Sequence, residues 1–522
     1  MPERSVHDRR WWILATMVVS MLVVVLDNTI LNVALKDIQE SLNATQGELE
    51  WSINSYTLVF AGLLFTYGVL GDRFGRRRAL LLGLTIFGVA SALSAFATTP
   101  DQLIAGRALM GVGGAAVLPS TLSIISNVFE PAERGRAIAI WAGATGVAVA
   151  LGPITGGILL AHFWWGSVFL VNVPVVLFGL VAIVRIVPES RDPLPAKLDP
   201  VGVGLSIVGI VAVVFGIIKG GESSAWGSVP VLLPLLGGIG VLVFFGWWEK
   251  RIDHPALDVS LFRSPAFSAA CAATTLSFFA LFGAAFYVSL YLQYARGFTP
   301  LQAGFTFLPV AVTLMTFAPR SAALVKRYGA KRVCGGGLLT VAVSFGGYHF
   351  VDVHSPLALV LLLLLLQGTG MAHIVAPATE AMMATLPRDR VGAGSSVNNT
   401  VRQVGGALGV AVLGSVLASS YRSHVASVVE QLPPALRATA SESVGGALAV
   451  AGRLPGAAGA ELADAARTGF VQAMHLTSSV SSAVALFGAL VVLRYMPGRP
   501  ADAASPADAA PVRAAEPRSS VR

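Results

Sequence analysis

Charge is what this sequence lacks most. Of 522 residues only 12% are Asp, Glu, Lys or Arg, against 55% hydrophobic and a mean hydropathy of +0.72. Soluble domains carry about 25% charged residues, so roughly half the usual polar coat is missing and a soluble enzyme is excluded. Cysteine is nearly absent too. Cys271 and Cys334 stand in or beside apolar runs, too few for a disulfide framework and without metal-ligand spacing. No metal site and no cofactor is expected. Acidic residues are scarcest inside the apolar stretches, where only Asp27 and Glu380 fall clearly.

What is present is hydrophobic length. A bilayer crossing needs about 20 mostly apolar residues. Charges, Pro/Gly clusters and polar runs divide the chain into fourteen candidate spans. The first six lie near 11–34, 49–70, 79–98, 103–127, 137–160 and 166–187, and two more near 200–218 and 229–248. The last six lie near 266–292, 301–322, 332–351, 356–385, 394–419 and 472–495. The expected fold is an all-α membrane protein of 14 transmembrane helices. The apolar run starting at Trp11 follows Arg9 and Arg10. It exceeds a signal-peptide core and has no small-residue cleavage site after it, so it is expected to remain as the first helix.

Lysine and arginine set the orientation. With the N-terminus in the cytoplasm, 26 of the 36 fall in inner segments and 7 in outer ones. Arg107, Arg320 and Arg402 fall within helices or at their ends. Both termini are therefore expected in the cytoplasm. The net charge of +8 reads as a topology signal, and no nucleic acid is expected as a partner.

The chain also repeats itself. LGDRFGRRR (Leu70–Arg78) aligns with LVKRYGAKR (Leu324–Arg332) at a shift of 254 residues, each copy on the inner side. The helices agree: six, two extra, then six. This 6+2+6 arrangement divides the chain into a six-helix bundle at 1–190, two inserted helices at 191–260 and a second six-helix bundle at 261–498. The second bundle contains a long outer segment, 421–470, rich in Ala, Gly and Ser. The Ala/Pro-rich tail, 499–522, is expected to be disordered and cytoplasmic. Parallel repeats of six helices are a transporter architecture with the substrate path between the halves.

Four motifs carry a resemblance. They are LDNTILNVAL (Leu26–Leu35), GVLGDRFGRRR (Gly68–Arg78), RALMGVGGAA (Arg107–Ala116), and the fifth-helix pattern Gly143, Gly152, Pro153, Gly156 and Gly157. In these helices and this order the chain resembles the major facilitator superfamily, in particular its fourteen-helix drug:proton antiporters. Residues Pro377–Val410 resemble exporters of quaternary ammonium compounds. The resemblance implies a major-facilitator-type fold in the cell membrane and antiport linked to the glycine pattern of the fifth helix. It implies that Arg107 faces the first helix and couples to protonation there, making Asp27–Arg107 the primary pair. It also implies that Asp72, with Gly68, Arg73, Gly75 and Arg76, forms a gating loop that latches onto the inner end of helix 13 near Gly394–Asn398. Relatives carry Asp where this chain has Asn54 and Asn399, so two titratable sites are missing.

Physical chemistry gives these residues their expected roles. An ionised Asp at mid-bilayer costs about 2.5–3.5 kcal/mol on insertion scales, so Asp27 needs a partner, water or a proton. It serves either as a proton carrier or as a hydrogen-bonded pin for helix 1. Arg107 stays charged and pulls a neighbouring carboxylate toward ionisation. Glu380 is a second candidate for a cation or proton, and His373 shares its helix face two turns away. Asn28, Asn32, Asn54, Tyr56, His373 and Asn398 are candidates for the cavity wall, with Asn172 and Gln367 beside them. Phe278, Phe279, Phe282, Phe286, Tyr287 and Tyr291 form an aromatic stretch for packing or for a lipophilic cation.

The expected activity is proton-driven export of amphipathic, preferentially cationic, drugs or toxic compounds by a monomer whose partners are small molecules, protons and lipid. A dedicated exporter of one endogenous metabolite or antibiotic would use the same scaffold. Import by symport runs against the fifth-helix pattern. An enzyme would need a nucleophile, metal or acid–base cluster, and none is visible.

Overall fold

The computed structural model describes residues 3–191, 199–223, 225–252, 259–385 and 391–496. Among them the secondary structure is entirely helical. The long helices are α1 (Glu3–Leu42), α2 (Gln46–Phe74), α3 (Arg76–Ala95), α4 (Pro100–Val128), α5 (Pro131–His162) and α6 (Asn172–Ile186). Next come α7 (Pro200–Ser223) and α8 (Val229–Glu249). The chain continues with α9 (Pro265–Leu290), α10 (Pro300–Thr306, resumed at Leu308–Tyr328), α11 (Ala330–Gly347), α12 (Leu357–Ala384), α13 (Val391–Val429) and α14 (Ala457–Tyr495). Twelve helices among the described residues are long and apolar enough to cross a membrane; α2 and α5 are not in that set.

Two boundaries differ from expectation. Helix α13 runs on to Val429 and α14 starts at Ala457, so most of the 421–470 segment extends those helices. Two short helices, Pro434–Glu442 and Val444–Ala451, fill the remainder. Alanine-rich sequence propagates a helix once packing nucleates it. Each short helix also has a defined start: Pro434 in the first turn of one, and the Ser443 hydroxyl accepting from the Gly446 N–H in the other. The expected disordered tail lies outside the described residues.

Helices α1 to α6 pack largely on one another, α4 against α2 and α3, and α1 against α4, α5 and α6. The same holds for α9 to α14, with α13 against α9 and α14, and α12 against α10 and α11. Glycines allow the closest approaches. A Cβ on Gly113 would stand 2.5 Å from the Phe87 backbone nitrogen, and one on Gly370 would stand 2.6 Å from the Gly337 carbonyl. Lipid tails are as apolar as leucine, so such van der Waals fit is what holds membrane helices together.

The repeat extends into geometry. Gly75 and Gly329, 254 residues apart, break α2 from α3 and α10 from α11 with φ of 118° and 83°. That region disfavours every side chain with a Cβ. At the other ends of α2 and α10, Thr45 with Glu48 and Thr299 with Gln302 form capping boxes at the same shift.

Helix α7 packs on both α2 and α13, with Val214 and Ile218 against Leu58, Ala407 and Ala411. Helix α8 packs chiefly on α7, and the Trp248 indole N–H donates to Asp199 Oδ2 at 3.1 Å where the pair begins.

Candidate functional site

The first six helices meet the last six near the ends of α1 and α9 that lie away from both termini. The Asn32 carbonyl accepts from the Ser289 hydroxyl, and the Val33 carbonyl accepts from Gln293 Nε2 at 3.0 Å. Gln39 accepts from the Tyr294 hydroxyl at 2.8 Å and donates to Ser443 at 3.2 Å. A π-helical turn, Tyr291–Ala295, ends α9 here and presents Gln293 and Tyr294 to α1.

The fifth-helix glycines are packed at a parallel seam. Gly152 lies against Thr29 and Gly156 against Ile30, both on α1. A Cβ on Gly157 would stand 2.6 Å from Leu301 Cα and 2.9 Å from the Pro300 carbonyl, while Gly304 rests on the Pro153 carbonyl. Gly143 stands on the same helix, nearer its start. At the termini end Arg10 of α1 donates to the Glu133 carboxylate of α5 at 2.8 and 3.2 Å, a contact within the first half.

Asp27 and Arg107 form an ion pair closed to solvent. Arg107 Nη1 donates to Asp27 Oδ2, and its Nε donates to the Ser52 carbonyl at 3.0 Å. The guanidinium lies 4.4 Å from the Tyr56 ring centroid and 5.9 Å from that of Phe169. Asn172 Nδ2 donates to the other carboxylate oxygen at 3.0 Å and to Ser91 Oγ at 3.1 Å; Ser91 in turn donates to the Phe169 carbonyl. Five helices, α1, α2, α3, α4 and α6, thus converge on one carboxylate–guanidinium pair.

The other expected residues separate. Tyr56 is buried beneath Arg107 and does not face open space, and Asn172 belongs to the ion pair rather than to a cavity wall. Asn54 is fully buried with neither amide atom hydrogen-bonded, and the Asn398 Oδ1 is likewise buried without a partner. Asn28 is partly exposed; Asn32 is buried at the seam. His373 hydrogen-bonds the Thr369 carbonyl at 2.7 Å and lines a groove of about 370 Å³ with Tyr328, Arg332 and Thr340, on α10 and α11. Glu380 is exposed on the same face of α12, with no hydrogen bond or ion pair among the described residues.

The gating loop has a partner that sequence reasoning missed. Glu189, just beyond α6, accepts from the Arg77 N–H at 3.1 Å and lies 3.8 Å from Arg78 Nε. The Arg76 N–H donates to the Ser190 carbonyl at 3.0 Å, and a Cβ on Gly75 would collide with the Glu189 carboxylate. Gly68 and Arg73 lie near the end of α2, where Arg73 is exposed over the Phe74 ring. The side chain of Asp72 and most of its expected docking site lie outside the described residues. Glu50 was also missed: it is 1% exposed, and a Cβ on Gly414 of α13 would collide with its carboxylate.

Comparison with known proteins gives the same picture from another direction. The family model described as Major Facilitator Superfamily matches residues 17–410. The multidrug efflux pump LfrA of Mycolicibacterium smegmatis is 38% identical, with 93% of this chain and 96% of that protein aligned. The tetracenomycin C resistance and export protein of Streptomyces glaucescens is 32% identical over 94% and 93% of the two chains. Among solved structures, a bacterial homologue of the human lysosomal transporter Spinster, inward-facing and occupied, aligns with a TM-score of 0.64 at 16% identity, over 95% of this chain and 99% of that one. At such identity the structural likeness speaks to the fold alone.

Proposed function

This chain belongs to the Major Facilitator Superfamily and is a membrane transporter, not an enzyme; from that premise we propose that it exports amphipathic drugs or toxic compounds across the cell membrane in exchange for protons. The observation that carries the coupling is the closed Asp27–Arg107 pair with Asn172 on the second oxygen. A proton arriving at Asp27 removes the charge that holds Arg107, releasing α1 from α4. Losing that proton restores the pair. Alternating access supplies the two exposures, with helices 1–6 rocking against 9–14 about the seam of α1, α5, α9 and α10.

In this reading all fourteen helices cross the bilayer in a 6+2+6 order, both termini are cytoplasmic, and the joined end is the outer one. The protein works as a monomer without a cofactor, driven by the proton gradient. One pH unit supplies about 1.36 kcal/mol per proton, and about 2.3 kcal/mol is available per net charge moved through 100 mV. Cationic amphiphiles are the first cargo class expected, and Glu380 on the exposed face of α12 is the carboxylate they would meet. The resistance and export functions named for the relatives support drug export.

The test uses inside-out vesicles with an imposed pH gradient, recording proton release on addition of cationic and neutral amphiphiles. Release by several unrelated compounds, abolished by Asp27→Asn, supports coupled multidrug export. Release by a single compound favours the dedicated exporter. Unchanged release in Asp27→Asn overturns the coupling assignment.

A further inference from the structure

Arg402 lies eleven residues into α13, about 16 Å along its axis. It is partly exposed, and its guanidinium stands 4.5 Å from the Phe278 ring centroid. Among the described residues it makes no hydrogen bond and no ion pair. The contrast with Arg107 is direct. That arginine is closed to solvent and has a carboxylate, a carbonyl and two rings. Arg402 has one ring and five N–H donors, a set too poorly matched for a charge at that depth unless water or a ligand meets it.

The direction in which this group faces can be read from α9. Phe278, Phe282, Ser289 and Gln293 are spaced by four, seven and four residues and share one face. Ser289 and Gln293 on that face bond to α1 of the first half. Phe278 and Phe282, stacked at 6.1 Å, lie two to four turns nearer the helix start, with Phe282 against Gly406 of α13. Arg402 thus stands where α9 and α13 meet, over the ring on the α9 face that continues to the α1 contact. One turn before it on α13, Asn398 is 6% exposed with an Oδ1 that has no hydrogen-bond partner. Asp27 is already held by Arg107 and Asn172 and does not neutralise Arg402.

We propose that Arg402, with Asn398 and the Phe278–Phe282 pair, forms an acid-recognising pole of the transport cavity, so that favoured cargo carries a carboxylate or phenolate on an aromatic body. This rests on the export reading above and narrows its cargo. The guanidinium fork accepts a carboxylate in two parallel hydrogen bonds, the amide adds a third contact, and the rings stack on the aromatic body. A cationic group elsewhere on the same molecule is compatible with this pole; the acid is what it selects.

The experiment measures equilibrium binding of 1-pyrenebutyric acid and its carboxamide to the full-length protein in nanodiscs, with binding to empty nanodiscs subtracted. The wild type is expected to bind the acid at least tenfold more tightly than the amide. Arg402→Gln should bind both as the wild type binds the amide, and Arg402→Lys should keep part of the preference. Equal binding of the pair by the wild type overturns the proposal, and needs no variant. A preference that survives in folded Arg402→Gln overturns it as well. Proton-flux measurements on the same preparation separate the two readings. Acid preference without proton-driven export sinks the export reading and leaves the pole standing, whereas coupled export with no acid preference sinks the pole alone.

Discussion

Gly157 of α5 lies flush against Leu301 of α10, so close that even a methyl group would meet the Leu301 backbone. The contact joins the two halves at one end, and it exists only while that end is shut. Gly157→Ala is therefore expected to disfavour the shut form selectively. Overpacking of this kind costs about 1–3 kcal/mol, which shifts the ratio of the two access states by roughly 5- to 150-fold. Distances between spin labels at the end of α5 and the start of α10 check this; an unchanged distribution would count against the seam as a gate.

The Asp27–Arg107 pair predicts a non-additive cycle. Removing one partner of a buried pair strands the other and costs about 3–5 kcal/mol. Asp27→Asn and Arg107→Gln should each lower thermal stability in detergent, and the double variant should lose less than the sum of the two. The proton-driven gradient of cargo should vanish in all three. Additive losses would show that the two groups act independently.

Seam hydrogen bonds are expected to bias conformation more than folding. Ser289→Ala and Gln293→Leu remove donors to the Asn32 and Val33 carbonyls. Each bond contributes about 0.5–1.5 kcal/mol net, so each variant should raise the population with the α1–α9 end open by roughly two- to tenfold. Accessibility of a cysteine placed at Val33 to a membrane-impermeant thiol reagent reads that population.

Gly75 and Glu189 separate backbone strain from charge. Gly75→Ala must hold a Cβ at φ of 118° and against the Glu189 carboxylate, a strain of about 1–3 kcal/mol. Glu189→Gln loses only a partly exposed ion pair, about 0.2–1 kcal/mol. Melting temperature and transport rate should therefore fall further in Gly75→Ala. The reverse order would make charge, not backbone shape, the property that the loop requires.

Much of this was legible in the chain because a bilayer restricts what a sequence can do. Apolar runs of bilayer length located the helices, and the repeat at 254 residues reappeared as paired left-handed glycines and paired capping boxes. Asp27 and Arg107 stood out because charge inside an apolar run needs a reason. Their supporting cast did not. Ser52 contributes a backbone carbonyl, which no side-chain pattern records, and Asn172 and Ser91 become partners only through the crossing of α6 and α3. Glu189 lies in an ordinary polar stretch, and Glu50 lies one turn into α2, where an acid normally signals a helix start. Tyr56 misled because an amphipathic residue in a polar-looking helix suits a cavity wall, whereas its ring is taken up beneath Arg107.

Helix α7 leans on α2 and α13 together, while the α5–α10 seam has no comparable cover among the described helices. Internal duplication gives the protein two similar halves, yet its two flanks are unlike. A compound dissolved in the leaflet meets a shielded wall on one flank and a bare joint on the other, so the extra hairpin gives the molecule a front and a back with respect to the surrounding lipid.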